Sequence, residues 1–271
     1  MPSPSSHNSL SPTGFSQGSP ALQELGLKFS PGGAHISRTI MLVELERVLA
    51  FVRMGAPGSE YRSAILDSNV LGKTTVSTRQ KSLRHLRELY ALDGTVPIFG
   101  ALRKLHALDS ASLPLLAVLV AWSRDSLFRA TSPAVLEASE GDLITPSTLA
   151  QSVAAAFPGQ YSELNQNKVA RNAASSWTQS GHLLGRSNKT RHRVQPTPVA
   201  ATLAFFLGQA AGFHGVTVFS NPWCRLLDLD AERARSLGQE AHRAGLLNLR
   251  SIGDVVEITF PLLEEFQSPR L

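Results

Sequence analysis

The residues best suited to bind another molecule are basic, and they cluster between residues 164 and 193. No aspartate or glutamate occurs between Glu163 and Asp228, whereas seven lysines and arginines do. Lysine and arginine neutralise phosphates, and asparagine and glutamine can hydrogen bond to base edges. The pattern predicts a nucleic-acid surface. Its phosphate contacts would come from Lys168, Arg171, Arg186, Lys189, Arg191 and Arg193, and its base or backbone contacts from Asn165, Gln166, Asn167 and Asn172.

A winged helix-turn-helix is the element predicted to position these side chains. The threonine-proline pair at 145–146 supplies a capping residue and a first-turn proline for one helix. A second helix is predicted over 164–180, with Gly181 ending it, and residues 182–184 and 191–197 are expected to pair as a short hairpin, the wing. In this motif the second helix enters the major groove of DNA. The alternative is an ordinary solvated helix followed by a basic loop.

A second basic segment lies between residues 59 and 90. A short helix over about 59–67, a turn and a helix to about residue 92 are predicted, which resembles another helix-turn-helix. No acidic residue occurs from position 73 to position 87. An amphipathic helix with a basic outer face explains the pattern equally well, so both interpretations stay open. The candidate DNA-binding residues of this segment are Lys73, Arg79, Lys81, Arg84 and Arg87.

A third segment, residues 230–260, has the order of a winged motif but a mixed charge. A helix over 230–244 and two strands over 246–250 and 255–260 are expected. Acidic residues dilute its positive charge, which favours a structural or protein-contacting role. They are Asp228, Asp230, Glu232, Glu240, Asp254 and Glu257.

Composition excludes several classes of protein. The chain has 271 residues, 42% hydrophobic and 17% charged, a globular balance with a net charge of +5. Its single cysteine, Cys224, allows no internal disulfide and no Cys-x-x-Cys zinc site, which favours a reducing, cytoplasmic setting. The apolar runs 113–122 and 199–211 are shorter than the roughly 20 residues that cross a bilayer, so no membrane association is expected. Both are predicted to form buried core helices, the first of them central. Residues 2–23 carry no charged side chain and are predicted to be disordered.

No pattern of catalytic residues stands out. Gly72-Lys73-Thr74 resembles the end of a phosphate-binding loop, but Asp67 occupies the position of its first glycine. The histidines are scattered, and no acidic cluster suggests a nuclease metal site. The sequence therefore predicts a protein that is not an enzyme, with no cofactor, no metal and no small-molecule substrate.

Four segments resemble landmarks of the BrxA family, small helical proteins of BREX phage-defence systems. They are LKFSPGG at 27–33, SNVLGKTTVSTR at 68–79, LLAVLVAWSR at 115–124, and a helix from Leu164 that ends in AASSWTQSGHLL at 173–184. The resemblance covers about residues 25–184. It implies DNA binding without known catalysis, and partners among other proteins of an anti-phage system. The Ser/Pro-rich start and the chain after about Arg193 depart from the shorter members.

Taken together, the residues and the resemblance predict a mostly α protein: a helical bundle with winged helix-turn-helix elements and small β-hairpins. The expected partner is double-stranded DNA. The alternative is a protein-interaction scaffold whose basic stretch meets an acidic partner. The predicted regions are a tail over 1–23, a helix-turn-helix-like region over 24–110, a central core with the winged motif over 111–198, and a helical, winged region over 199–271.

Overall fold

The computed structural model describes residues 19–252 and 255–267, so most of the predicted disordered tail lies outside the described residues. The first helix is α1 (Pro20–Leu25). Residues 20–23 of the stretch predicted to be disordered are therefore helical, and that part of the prediction is wrong. The reason is tertiary packing, because Leu22 and Leu25 are both buried in the hydrophobic core.

The helices of the first half surround one apolar helix. They are α2 (Leu42–Phe51), α3 (Gly58–Leu66), α4 (Val76–Tyr90), α5 (Pro97–Leu108) and α6 (Leu113–Arg124). Every side chain of α6 except that of Pro114 is buried, which confirms the prediction of a central helix. Residues 34–41, here called the strap, precede α2 and begin with a 3-10 helix (Ala34–Ile36). The spacing of apolar residues predicts a helix over 37–54. Its first five residues are not helical, because Ile40 forms hydrogen bonds to two other helices and Met41 adopts a left-handed conformation with φ 52°.

The second half begins with a winged helix-turn-helix. Its elements are α7 (Ser126–Ala130), α8 (Ser132–Leu136), β1 (Leu143–Ile144), α9 (Pro146–Ala156), α10 (Glu163–Gln179), β2 (Leu183–Leu184) and β3 (Lys189–Arg191). The Thr145 and Ser162 side chains cap α9 and α10 by accepting hydrogen bonds from backbone N–H groups in the first turn of each helix. The sheet order is β1-β3-β2, all antiparallel. The predicted wing is present, but its second strand is shorter than 191–197 and starts earlier. The short strand β1 was not predicted.

The remaining elements repeat the order of helices followed by a hairpin. They are α11 (Pro198–Ala210), α12 (Pro222–Leu226), α13 (Ala231–Arg243), β4 (Asn248–Ile252) and β5 (Val255–Thr259), followed by a short 3-10 helix (Pro261–Phe266). Asp230 caps α13 through the backbone N–H of Arg233. One main hydrophobic core runs from Leu22 to Leu263 and includes residues of the three predicted regions that follow the tail, 24–110, 111–198 and 199–271. Within the described residues, no helix is both long and apolar enough to cross a membrane.

Three buried arginines hold helix ends inside this core. Each guanidinium donates to backbone carbonyls near the C-terminus of a helix, where up to four carbonyls lack partners within the helix. Burial lowers the pKa of Arg124 and of Arg129 to about 10, so both stay charged at neutral pH. These charges count in the net charge but lie away from solvent. The contacts are Arg103 to the carbonyls of Leu49 and Val52, Arg124 to those of Arg87 and Glu88, and Arg129 to that of Trp122.

Candidate nucleic-acid interface

The outward stripe of α10 carries two exposed basic residues. Positions spaced three and four residues apart lie on one face of a helix. This face has Leu164, Lys168 and Arg171 exposed, followed by the half-buried Ser175 and Thr178. The opposite face packs into the interior. Because α10 is the second helix of the motif, the stripe occupies the position that reads the major groove in winged helix-turn-helix proteins.

The tip of the wing is short and exposed. Gly185 precedes it with φ 98°, and a Cβ atom there would lie 2.0 Å from the carbonyl oxygen of Asn188, so only glycine fits. The tip residues, Arg186 to Asn188, are all exposed. Lys189 follows, and its Nζ donates to Thr178 Oγ1 at 2.7 Å. Partial burial lowers the pKa of Lys189. Lys189 thus connects the wing to the last turn of the α10 stripe.

Arg191 does not lie at the surface, so the expectation that it projects from the hairpin is wrong. Its side chain is 0% exposed and forms an ion pair with Asp228. The cause is strand register: Arg191 is opposite the buried Leu183 in the middle of the sheet, which turns its side chain inward. Arg193 shares the same carboxylate, with Nη1 at 3.1 Å from Asp228 Oδ1, but its side chain is 43% exposed. Arg191 is therefore structural, and Arg193 is only partly available.

The amide groups predicted to read bases are partly engaged within the protein. Asn172 donates its Nδ2 to the carbonyl of His35 at 2.8 Å, and Gln166 donates its Nε2 to the carbonyl of Tyr161 at 2.9 Å. Asn172 lies at the edge of the stripe, where the strap covers α10. One of its two amide N–H groups is therefore engaged within the protein. The side chains of Asn165 and Asn167 are half-buried.

A buried chain of three polar residues joins the strap to α10 and resembles a catalytic triad. Nδ1 of His35 lies 2.7 Å from Asp125 Oδ2, and Nε2 lies 2.8 Å from Ser176 Oγ. All three residues have 0% exposure, and Ser176 Oγ already bonds to the backbone of Ile40 and Asn172. A substrate has no route to this hydroxyl, so the arrangement serves as an internal connection.

Electrostatic interactions stabilise the charged Asp125 carboxylate within this buried chain. Burial alone would raise the pKa of Asp125, but the adjacent His35 and the backbone N–H groups of Phe128 and His35 hold it below its usual value. Asp125 also caps α7. Sequence reasoning missed this cluster because its members lie 90 and 141 positions from His35 along the chain.

The predicted basic residues on α4 and in the turn before it divide into two groups. Lys73 forms an ion pair with Glu44 at 2.9 Å, and Arg79 donates to the carbonyl of Leu66 at 2.6 Å. These two side chains hold the loop and the helix in place. The other three are exposed and form the outward face of α4: Lys81, Arg84 and Arg87.

Two further findings bear on function. Among residues 19–252 and 255–267, no group of three or more histidine, cysteine, aspartate or glutamate side chains is suited to hold a metal ion. A scan of the sequence against models of protein families gave no match, and a search among curated proteins also gave none.

Proposed function

We propose that this chain binds double-stranded DNA through α10 and the wing, as a non-enzymatic accessory protein. The observation that carries the proposal is the pair Lys168 and Arg171, exposed side by side on the outward stripe of α10. Neither forms an ion pair with any described residue, so both charges are available to phosphates. The acid-free sequence around them adds no repulsion for a polyanion.

The wing would add contacts beside the groove. Arg186 at the exposed tip and Lys189 at its base extend the positive surface beyond the C-terminal end of α10. Arg191 contributes indirectly, since its pair with Asp228 fixes the strand that carries Lys189. Backbone contacts of this kind position a protein on a duplex without reading its sequence, so little sequence preference is expected.

The resemblance to the BrxA family supplies the biological setting of the proposal. On the basis of the segments within residues 25–184 that carry this resemblance, we propose that the protein acts in the cytoplasm as part of a BREX-type anti-phage system, beside other defence proteins. In that setting the buried Cys224 would stay reduced, and burial raises the pKa of its thiol, which makes it unreactive.

The test compares two double variants with the same loss of charge. Lys168→Ala/Arg171→Ala removes the stripe, and Arg243→Ala/Arg250→Ala removes two exposed arginines of the third region as a control. Binding to a fluorescent duplex at low salt is measured by anisotropy. The stripe variant should bind roughly tenfold or more weakly, at about one phosphate contact per residue, and the control should bind nearly as the parent does. Equal weakening by both variants would reduce the effect to net charge and contradict the proposal.

A protein-interaction scaffold is the second candidate, favoured by exposed apolar side chains on the wing sheet. Leu143 and Leu184 are 58% and 50% exposed. Both pair with Thr190 in the sheet, so they lie on the same face at either side of it. Under this alternative, Leu143→Ser/Leu184→Ser should abolish capture of a partner protein, while the parent protein should show no affinity for DNA even at low salt.

A further inference from the structure

One residue of the strap connects the two exposed basic helices. The backbone N–H of Ile40 donates to Ser176 Oγ on α10 at 2.9 Å, and its carbonyl accepts from the Tyr90 hydroxyl of α4 at 2.5 Å. Burial raises the pKa of Tyr90, so the hydroxyl stays protonated and remains a donor. The last turn of α4 and the second half of α10 therefore lie on the two sides of a single residue.

The spacing along each helix limits the distance between the two basic faces. At about 1.5 Å per residue, Arg171 lies roughly 8 Å along α10 from Ser176, and Arg87 lies roughly 5 Å along α4 from Tyr90. Because Ile40 lies between them, α4 and α10 are farther apart than the 8–10 Å or so of helices in direct contact, and the span from Lys168 to Lys81 is about 40 Å at most. The upper limit of this span is comparable to one turn of duplex DNA, about 34–36 Å.

The strap itself contributes one cation between the two helices. Ser37 is exposed and Arg38 is half-buried, so this part of the strap reaches solvent. The guanidinium of Arg38 donates to the carbonyl of Ser37 at 2.9 Å and forms no ion pair within the described part of the chain. The one carboxylate within α4, Glu88, faces His85, with 3.6 Å between Oε2 and Nδ1.

We propose that Arg38 and the outward face of α4 continue the DNA-binding surface of α10 across the strap. The protein would then contact phosphates over about one further helical turn of the duplex, and it would bind long duplexes more tightly than short ones. This inference rests on the proposed function, because it assigns a longer duplex to the same site. The cations that it adds are Arg38, Lys81, Arg84 and Arg87.

The experiment measures binding to duplexes of two lengths. A hairpin duplex of about 8 base pairs is roughly 27 Å long, so it covers the α10 site but not the whole span, whereas one of about 30 base pairs reaches both helices. Lys81→Ala/Arg84→Ala should weaken binding to the long duplex roughly tenfold and reduce the magnitude of its salt slope by about two, without changing binding to the short duplex. Arg38→Ala should act in the same direction with about half the change in slope. Arg87 is left intact because it lies near Asp93 and Gly58, where it contributes to local packing.

The controls separate failure of this inference from failure of DNA binding itself. Lys168→Ala/Arg171→Ala should weaken binding to both lengths, and Arg243→Ala/Arg250→Ala should weaken neither. If the α4 variant binds the long duplex as the parent does, or weakens both lengths equally, the extended surface is wrong while the α10 site stands. If the parent binds neither duplex at low salt, both proposals are wrong.

Discussion

At the scale of single residues, basic side chains have two separate roles in this protein. Arg103, Arg124 and Arg129 are buried against helix ends, and Arg191 is buried against Asp228. Lys168, Arg171 and Arg186 face solvent. A sequence shows that positive charge is concentrated, but it does not show which charges are turned inward, because strand register and helix orientation decide that. The role of each arginine therefore has to be tested separately.

Arg191→Ala should destabilise the fold. Removing Arg191 leaves the buried Asp228 with only the partly exposed Arg193 as a cationic partner, and the free energy of unfolding should fall by up to about 3–5 kcal/mol. Arg171→Ala, at an exposed position, should change it by no more than about 0.5 kcal/mol. Urea denaturation of both variants gives the comparison. Normal stability of Arg191→Ala together with weakened DNA binding would place Arg191 at the interface and contradict its structural role.

His182 should make the stability of the protein depend on pH. Burial lowers its pKa to about 4, and its ring lies between Ser180 Oγ at 2.8 Å and the Leu226 carbonyl at 2.7 Å. Its usual pKa is about 6.5, so the unfolded chain takes up the proton first as the pH falls. Stability is fully present above about pH 6.5 and is lost progressively down to about pH 4, by about 2 kcal/mol between pH 7.5 and pH 5.

The variant His182→Gln isolates this contribution, because glutamine does not titrate but keeps an amide donor near Leu226. Its stability should be lower than that of the parent at neutral pH, and the difference between the two proteins should shrink as the pH falls to 5. Chemical denaturation at several pH values measures it. An unchanged difference across this range would show that His182 is not the titrating group.

At the scale of elements, the spacing of apolar residues and the capping residues predicted most of the helices and turns. The helical bundle with small hairpins is confirmed, including the Thr145 cap of α9 and Gly181, with φ 85°, after α10. The strand β1 was missed because two residues carry no alternation that could reveal it. Residues 37–41 of the strap were predicted to be helical because the helical spacing of apolar residues starts at Ile40, yet the hydrogen bonds of Ile40 to Ser176 and Tyr90 and the left-handed Met41 keep them out of the helix.

The wing depends on one glycine. Gly185→Ala should strain the φ of 98° and force the alanine Cβ against Asn188, at a cost of at least about 1–3 kcal/mol. DNA affinity should fall, because the strain displaces Arg186 and Lys189. The matched control is Gly212→Ala, which has φ 92° but no atom within 4 Å of its Cβ position. In thermal unfolding, the control should show only the small loss of stability that φ strain causes in both variants. In the anisotropy measurement, the DNA affinity of the control should be unchanged.

At the scale of the whole molecule, one main hydrophobic core holds the three regions after the predicted tail in fixed positions. The interior follows from apolar periodicity, and α6 was predicted to be central on that ground. The relative placement of α4 and α10 was not predictable, because it depends on contacts of the strap between residues more than 40 positions apart. The sequence therefore predicted the candidate basic segments. It did not predict which of their basic side chains are exposed, or that α4 and α10 lie on two sides of the strap.

If cations of α10 and the wing bind phosphates, the affinity for a duplex must depend on salt, so a salt titration is the decisive measurement. The affinity of the parent protein for a duplex is measured by anisotropy over a range of salt concentrations. Four contacts, from Lys168, Arg171, Arg186 and Lys189, predict that log affinity falls against log salt with a slope of about −3 to −4. A flat dependence, or no binding at low salt, would show that these cations do not bind phosphates.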